Sequence, residues 1–372
     1  MLGEIYAFNN LSASTQLNAA IISSPTNHQA IRDVENVVYH LGESDEDLLD
    51  KMFERGSVYL HAVASYESSV IKFNQKPLVN SPFVFIYPSE GTYWLDHPYC
   101  NTKYLSASKV EAADEFFKYL TNDDSLKEMV KNGIRPALPT SLNSPTSPFI
   151  KQNGVIASVI PSSLPLLPYP SKTNMDLVMN MWQQDKKKVR VALMLEISGT
   201  LASTYQNATK KAAIQFIETL QPDDSIYVYQ YSNTITLLPA NGLISTVKSQ
   251  VINSIQGLTS TTGRSFYDAV VTGYNKMNET KAHDIDLGVS KNYIVIVLTV
   301  GKDLDSTNYT YNSMLSSLGD PTPDSPHIFT IGVNSPPNWN ELQQIAIKTN
   351  GKSYNPRMNQ QDDAFDQISK EF

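Results

Sequence analysis

The chain of 372 residues is 41% hydrophobic and carries a formal net charge of −8, with acidic and basic residues mixed along its length. This length exceeds what one hydrophobic core usually fills, so two domains are expected. The mixed, acidic charge excludes the concentrated basic surface that nucleic acid demands. The single cysteine, Cys100, excludes an internal disulfide, and no Cys/His cluster has the spacing of a structural zinc site.

The hydropathy pattern predicts no direct insertion into a membrane. No run approaches the roughly 18 to 20 apolar residues that span a bilayer, and the N-terminus lacks a basic region followed by an apolar core. If Met1 is the true start of the protein, this pattern predicts a cytoplasmic location.

The first region, residues 1–140, contains patterns of both helices and strands. Residues 45–55 and 109–120 are predicted as helices, with Ser44 as a candidate N-cap for the first of them. Residues 69–73 and 83–87 are predicted as strands. We interpret this region as a smaller α/β domain.

A proline-rich segment separates this region from the rest of the chain. Eight prolines between positions 136 and 170 alternate with Ser, Thr and Asn, which excludes a continuous helix. The same segment carries many apolar side chains between Val155 and Leu167, too many for a freely solvated tether. We therefore predict that residues 141–187 form a linker docked on a domain surface, with a short helix at 175–184.

Strands and helices alternate regularly from residue 188 to residue 372. The nearly continuous apolar run at 189–197 is typical of a strand covered on both faces, and residues 205–220 place apolar side chains on one helical stripe. Further strands are predicted at 225–231, 293–300, 327–333 and just after Gly351, and further helices at 247–255, 266–277, 311–318, 340–349 and 362–372. This alternation predicts a doubly wound, mostly parallel α/β sheet.

Three motifs in residues 188–372 resemble the von Willebrand factor A (VWA) domain family. An apolar strand leads into Glu196-x-Ser198-x-Thr200, where the family has Asp-x-Ser-x-Ser. The segment Thr262-Gly-Arg-Ser-Phe-Tyr-Asp-Ala269 resembles the family's Gly-Gly-Thr-x-Leu-Tyr-Asp-Ala loop, and Ile296-Val-Leu-Thr-Val-Gly301 resembles its Leu-Thr-Asp-Gly strand end. The resemblance implies a Rossmann-like fold that binds a partner rather than catalysing a reaction.

The VWA family holds a divalent cation, usually magnesium, at the carboxyl ends of its strands and leaves one coordination position for a partner's carboxylate. This sequence departs from that pattern: Glu196 replaces the first Asp, Arg264 replaces a Thr and Val300 replaces the last Asp. Glu196, Ser198 and Thr200 remain as weak candidate ligands for Mg²⁺ or Ca²⁺. We predict instead a degenerate site without a cofactor, in which the Arg264 guanidinium points at Glu196, in a geometry that allows a bidentate contact, and takes the place of the cation. The alternatives are that Arg264 swings into solvent or that Glu196 still holds a weakly bound ion with water.

The same loops form the predicted partner-binding face of this domain. They comprise residues 198–204, 260–266 and 300–308, and the candidate face includes Ser265 and Asp303. Asp303 and Asp305 are predicted to lie on a rim loop beyond Gly301. We interpret them as solvated surface residues, and the alternative is that they are distant ligands of a cation.

Residues 1–140 resemble part of a type II solute-binding domain, as found in bacterial proteins that fuse such a domain to a VWA domain. The resemblance rests on Tyr87-Pro-Ser-Glu-Gly-Thr92, Asp96-His-Pro-Tyr99, the helix at 112–120 and Gly133-Ile-Arg-Pro136. It implies one lobe of a periplasmic-binding-protein-like fold with most of the other lobe absent. Glu90 and Tyr93 are candidate solute-cleft residues, and the alternative is that this segment forms a turn whose aromatic side chains fill the interdomain core.

Three functions remain open at this point. The first is a non-enzymatic protein-binding or adhesion module that uses the VWA face. The second is a solute receptor, with its first lobe supplied elsewhere and a membrane-complex partner, and the third is a structural subunit of a larger assembly. No catalytic residue is expected, because Ser198 does not lie in a Gly-x-Ser-x-Gly elbow. The resemblance implies an extracytoplasmic, cell-envelope location.

Overall fold

The computed structural model describes residues 2–39, 42, 44–57, 60–77, 82–95, 97–136, 142, 146–156, 158, 164–198, 203–320, 322, 324–333, 338–357, 360–369 and 371. The chain forms two compact units. The first comprises Met1–Ile31 and Gly42–Asp185, and the second comprises Arg32–Leu41 and Lys186–Phe372. One helix, Pro25–Val37, contributes residues to both units.

The described part of the first unit is built from helices. They are α1 (Leu2–Phe8), α2 (Ala19–Ile22), α3 (Pro25–Val37), α4 (Asp45–Arg55), α5 (Glu67–Asn74), α6 (Ala107–Leu120), α7 (Asp123–Lys131) and α8 (Lys172–Asp185), with a 3₁₀ turn at Lys151–Asn153. The predicted N-cap of α4 is confirmed, because the Ser44 side chain accepts a hydrogen bond from the Asp47 amide. Sequence patterns thus identified α4 and α6 correctly.

Neither of the two strands predicted for this unit forms part of a sheet. Residues 69–73 lie within α5, where Val70, Ile71 and Phe73 are buried, because a short apolar run fits a buried helix as well as a strand. Residues 83–87 join no sheet, and the described residues of this unit contain no strand beyond an isolated bridge between Thr92 and Leu166. The sheet expected for a smaller α/β domain is therefore absent from them, and the resemblance to a solute-binding lobe is not confirmed.

The segment predicted as a docked linker supplies core side chains to the first unit. Phe149 and Val155 are buried in one apolar cluster with Ile71 and Val130. Leu167 is buried in another cluster, formed mainly by α1, α2, α3 and α8. Val159 and Ile160, which were also expected to be covered, lie outside the described residues.

The second unit is a doubly wound, mostly parallel α/β sheet, as predicted. Its strands are β1 (Val189–Glu196), β2 (Ser225–Tyr231), β3 (Ile235–Leu237), β4 (Gly242–Leu243), β5 (Asn292–Thr299), β6 (His327–Gly332) and β7 (Ser353–Tyr354). The strand order is β3-β2-β1-β5-β6-β7, and β4 also pairs with β2. Neighbours from β2 to β7 are parallel, whereas β3 and β4 run antiparallel to β2. Sequence patterns did not predict β3 and β4, since strands of three and two residues are too short to show periodicity.

Two helical layers cover this sheet. The helices are α9 (Ser203–Thr219), α10 (Ile244–Gln256), α11 (Phe266–Asp286), α12 (Tyr311–Ser317), α13 (Trp339–Lys348) and α14 (Gln361–Ser369). Alternate residues of β1 enter opposite cores: Leu193 packs with α9, α10 and α14, and Met194 packs with α11, α12 and α13. Burial on both faces explains why β1 and β5 are nearly continuous apolar runs.

Candidate functional site

The crevice between the carboxyl ends of β1 and β5 is the topological switch point of the sheet, where chain connections diverge to opposite sides. Open α/β sheets bind ligands at such a point. Glu196 ends β1 and Thr299 ends β5, so both residues lie at this crevice. The side chain of Glu196 is completely buried, at 0% exposure. A buried carboxylate needs hydrogen-bond donors or a positive charge, and both are present.

Four donors converge on the Glu196 carboxylate. Its Oε1 atom accepts hydrogen bonds from the Ser198 hydroxyl at 2.8 Å and from Arg264 Nε at 2.7 Å. Its Oε2 atom accepts hydrogen bonds from the Thr299 hydroxyl at 2.8 Å and from the Val300 amide at 3.1 Å. The carboxylate therefore has two donors on each oxygen and is neutralised by a guanidinium.

The ion pair predicted between Glu196 and Arg264 is present, with a different geometry from the one expected. Arg264 contacts the carboxylate through Nε, and its Nη1 atom donates instead to the Lys302 carbonyl oxygen at 3.0 Å. The bidentate contact is therefore absent, because the guanidinium also holds the loop after β5. Gly301 leaves room for it, since a Cβ atom there would lie 2.8 Å from Nη1.

Ser265 and Asp305 hold the loops of the face together. The single hydrogen of the Ser265 hydroxyl is shared between the backbone carbonyl oxygens of Asn233 and Asp305, which lie 3.2 and 3.1 Å from Oγ. Asp305 in turn accepts a hydrogen bond from the Arg264 amide at 2.6 Å. Ser265 is buried, so its hydroxyl links loops rather than facing a partner.

Asp303 lies at the amino end of α11. Its carboxylate accepts hydrogen bonds from the Tyr267 amide at 3.1 Å and from the Ser306 hydroxyl. A carboxylate is favoured at this end of a helix, because the free amides there carry partial positive charge. Asp303 thus serves as a cap for α11, and Val300 contributes to the face through its backbone amide while its side chain packs on the core.

Asp268 organises the loop at 307–309, a role that the sequence did not suggest. Its carboxylate accepts hydrogen bonds from the Thr307 amide at 3.1 Å, the Tyr309 amide at 3.0 Å and the Asn308 side-chain amide at 3.0 Å. Asp268 was present in the quoted Tyr-Asp-Ala motif as an acidic residue in the first turn of α11. Its position in that motif was the one sequence feature that could have suggested a role for Asp268. Its hydrogen-bond partners lie about 40 residues away in the sequence and come close to it only in the tertiary fold.

The buried tyrosines next to the crevice add to its electrostatics. Burial raises the pKa of the Tyr205 and Tyr231 hydroxyls well above the usual value, and the negative charge of Glu196 raises it further. Tyr231 remains a neutral donor and gives its hydrogen to the Leu298 carbonyl oxygen at 2.7 Å. These groups add no negative charge that would attract a cation.

The described residues at the crevice do not by themselves fit a divalent cation. Such an ion needs six or more oxygen ligands with free lone pairs, whereas both oxygens of Glu196 are occupied by donors and Arg264 repels a cation. The described residues contain no cluster of three or more His, Cys, Asp or Glu side chains able to hold a metal. Thr200, a candidate ligand, lies outside the described residues.

The two solute-cleft candidates belong to the first unit. Tyr93 packs against the apolar cluster that contains Leu167, and its ring centre lies 5.1 Å from that of Tyr169. Burial raises the pKa of its hydroxyl to about 12. Glu90 is half-buried in the turn before Gly91. Tyr93 is thus half-buried against a core cluster of the first unit.

Comparisons with known proteins gave matches among solved structures. No protein-family profile and no curated protein matches the chain. Similar structures include a von Willebrand factor type A protein from Catenulispora acidiphila, at 16% identity and a TM-score of 0.42 over 50% of this chain and 42% of that one. Proximal thread matrix protein 1 from the mussel byssus matches at 14% identity and 0.39 over 55% and 53%. The pilus adhesin SpaC from Lactobacillus rhamnosus GG matches at 11% identity and 0.39 over 50% and 30%.

The chain spans less than two thirds of each of these three proteins, so their partners are not transferred to it. Within the described ranges, no helix combines the length and the apolar character needed to cross a bilayer.

Proposed function

We propose that the second unit is a VWA-type module that binds another protein through the carboxyl-edge face of its sheet, without a metal ion and without catalysing a reaction. The observation that carries this proposal is the Glu196 carboxylate, which four donors saturate where the VWA resemblance implies a cation. The fixed charge of Arg264 supplies the positive group that a bound ion would otherwise provide.

A catalytic role is disfavoured by the state of the groups in the crevice. The Ser198 hydroxyl donates its hydrogen to Glu196, but this carboxylate is buried and paired with Arg264. Arg264, Thr299 and Val300 occupy the other acceptor positions of this carboxylate and hold it in a structural role. A serine nucleophile needs a competent base and an oxyanion site, and neither is formed by these residues.

A protein partner is favoured by the order and shape of the loop at 301–310. Asp268, Asp303 and Asp305 hold its backbone, and the amide of Leu304 donates to the Arg264 carbonyl oxygen at 2.9 Å. The Leu304 side chain is nevertheless 68% exposed. An apolar side chain on a fixed loop can enter a partner's pocket with little loss of conformational entropy.

We further propose a cell-envelope location with a membrane-complex partner. The support is the sequence resemblance to bacterial fusion proteins that act outside the cytoplasm. Fractionation of cells that express the full-length gene, with the protein detected by an antibody, tests this location.

Site-specific photocrosslinking tests the binding face. A photoreactive residue placed at Leu304 should crosslink a partner with and without EDTA, whereas the same residue at Ile347, an exposed position on α13, should not. With the purified partner, Leu304→Asp should weaken binding by at least about tenfold, and Ile347→Asp should not. Loss of binding in EDTA, or equal crosslinking from both positions, overturns the proposal.

A further inference from the structure

The segment from Phe83 to Tyr87 in the first unit makes backbone hydrogen bonds along only one of its two edges. The Phe83 amide donates to the Asn74 side-chain oxygen at 2.9 Å, and the Asn74 side-chain nitrogen donates to the Phe83 carbonyl oxygen at 2.9 Å. The Phe85 amide donates to the Gly154 carbonyl oxygen at 2.9 Å. Every second residue thus makes the inner contacts, which indicates an extended backbone.

Side-chain burial alternates in step with these hydrogen bonds. Phe83 and Phe85 pack into the apolar cluster with Leu49, Val70 and Phe73. Val84 and Ile86 point the other way and are 75% and 80% exposed. The segment therefore has the geometry of an edge strand although no described strand pairs with it.

The inner edge is firmly anchored. Gly154 has φ = 76°, and a Cβ atom there would lie 1.9 Å from the Phe83 carbonyl oxygen, so this glycine allows the two backbones to approach. The Tyr87 hydroxyl accepts a hydrogen bond from the Ile156 amide at 3.2 Å and donates to Glu67. The segment is consequently ordered before any partner binds it.

The outer edge is open. Among the described residues, none donates to or accepts from the backbone amides and carbonyl groups of Val84 and Ile86. A row of free backbone groups beside apolar side chains is a template for another strand. Pro82 and Pro88 flank it, and because proline has no amide hydrogen, pairing is confined to the five residues between them.

We propose that this outer edge pairs with the same segment of a second copy of the chain, in antiparallel orientation about a two-fold axis at Phe85. In that register Val84 exchanges two backbone hydrogen bonds with the second copy's Ile86, and Ile86 exchanges two with its Val84. The backbone amides and carbonyl groups of Val84 and Ile86 in both copies then all form hydrogen bonds, and a single two-fold axis relates the two copies. The exposed valine and isoleucine side chains also become direct cross-strand neighbours.

Local charge favours a second copy as the occupant. No charged residue occurs between Lys76 and Glu90, so two copies of the edge meet without like charges opposite each other. Edge strands that avoid pairing usually carry a lysine or another charge, and this one carries none. Because two five-residue strands bury less than the roughly 1,200 Å² of a stable interface, we expect a dimer that dissociates on dilution, on the order of micromolar.

Sedimentation velocity of the full chain over a wide concentration range tests the proposal. The wild-type protein should shift from monomer to dimer, and Ile86→Lys should raise the dissociation constant by at least about tenfold. Ile134→Lys is the matched control, since Ile134 is an exposed isoleucine of the same unit, and it should leave dimerisation unchanged.

Hydrogen exchange of the unmodified chain provides a second readout that does not depend on a variant. The amides of Val84 and Ile86 should become protected as concentration rises, whereas the amide of Phe85, which donates to Gly154, should be protected throughout. A wild-type chain that stays monomeric overturns the proposal. A dimer without protection at Val84 and Ile86, or protection of these amides only by a different protein, overturns it as well.

Discussion

Arg264 Nε lies 2.7 Å from Glu196 Oε1, and the two side chains are only 11% and 0% exposed. The pair thus joins the end of β1 to the loop that precedes α11, in surroundings that water hardly reaches. In such surroundings the loss of one partner costs far more than the loss of both, because a charge remains buried without compensation.

We predict that Arg264→Met lowers the free energy of unfolding of the second unit by about 3–5 kcal/mol, since Glu196 is left buried and unpaired. The double variant Glu196→Gln with Arg264→Met should recover part of this loss. The measurement is hydrogen exchange of the β1 amides under native conditions. Lys302→Met, an exposed change in the same face, should stay within about 0.5 kcal/mol. A single variant as stable as the wild type would show that the pair contributes little.

Divalent metal should not stabilise the protein. A ligand present at about 100 times its dissociation constant stabilises the folded state by about 2.7 kcal/mol, which raises the melting temperature by several degrees. Because donors occupy both oxygens of Glu196, we expect no such rise with Mg²⁺ or Ca²⁺. Calorimetric melting of the full chain in EDTA and in excess metal makes the comparison. An increase of several degrees would contradict the metal-free site.

Asp268→Asn should loosen the loop at 307–309. The substitution keeps the size of the side chain but replaces one acceptor oxygen by an amide group, which then faces backbone amides that need an acceptor. We expect faster hydrogen exchange at Thr307 and Tyr309 and a loss of about 2 kcal/mol in stability. Asp286→Asn, at the exposed end of α11, serves as control. Unchanged exchange at both amides would argue that Asp268 does not hold the loop.

Asp45 should give part of the stability of the first unit a defined pH dependence. Burial raises the pKa of its carboxyl, but hydrogen bonds from the Tyr66 amide and the Ser65 hydroxyl outweigh burial and lower the pKa overall. A carboxyl with a lower pKa in the folded state stabilises it above the unfolded pKa of about 3.9. This contribution is lost as pH falls through the folded value.

Urea unfolding at several pH values should therefore show a stability deficit below about 1 kcal/mol for Asp45→Asn near neutral pH, because solvent screens this partly exposed carboxyl, and the deficit should shrink below about pH 4. Asp176→Asn, an exposed change on α8, should produce no comparable deficit. A deficit of constant size at all pH values would mean that the charge of Asp45 is not its cause.

Sequence periodicity was a good guide in the second unit, because its strands are buried on both faces. The run at 189–197 was correctly predicted as a central strand, and β2 was predicted with its observed bounds. In the first unit, residues 69–73 and 83–87 have similar composition but different structures. Whether such a segment becomes a helix or an extended strand depends on the residues that pack against it. These residues are distant in sequence, so a short apolar run does not reveal them.

The charged residues of the candidate site could be predicted from the sequence motifs, whereas its uncharged hydrogen-bond donors could not. Glu196 and Arg264 were predicted to pair because both depart from the VWA pattern in complementary ways. Two further partners, the Thr299 hydroxyl at the end of β5 and the Val300 amide just after it, come near β1 only in the folded sheet. No periodicity or motif spacing signals a backbone donor of this kind.

The second unit is discontinuous in sequence, because Arg32–Leu41 precede most of the first unit along the chain. During synthesis this short piece leaves the ribosome well before β1 and must remain without its partners while residues 42–185 emerge. The entropy of closing a chain of that length works against early association. The first unit can thus complete its fold during translation, whereas the sheet forms only after β5, β6 and β7 have emerged, and until then the apolar faces of β1 and β2 are open to misassembly.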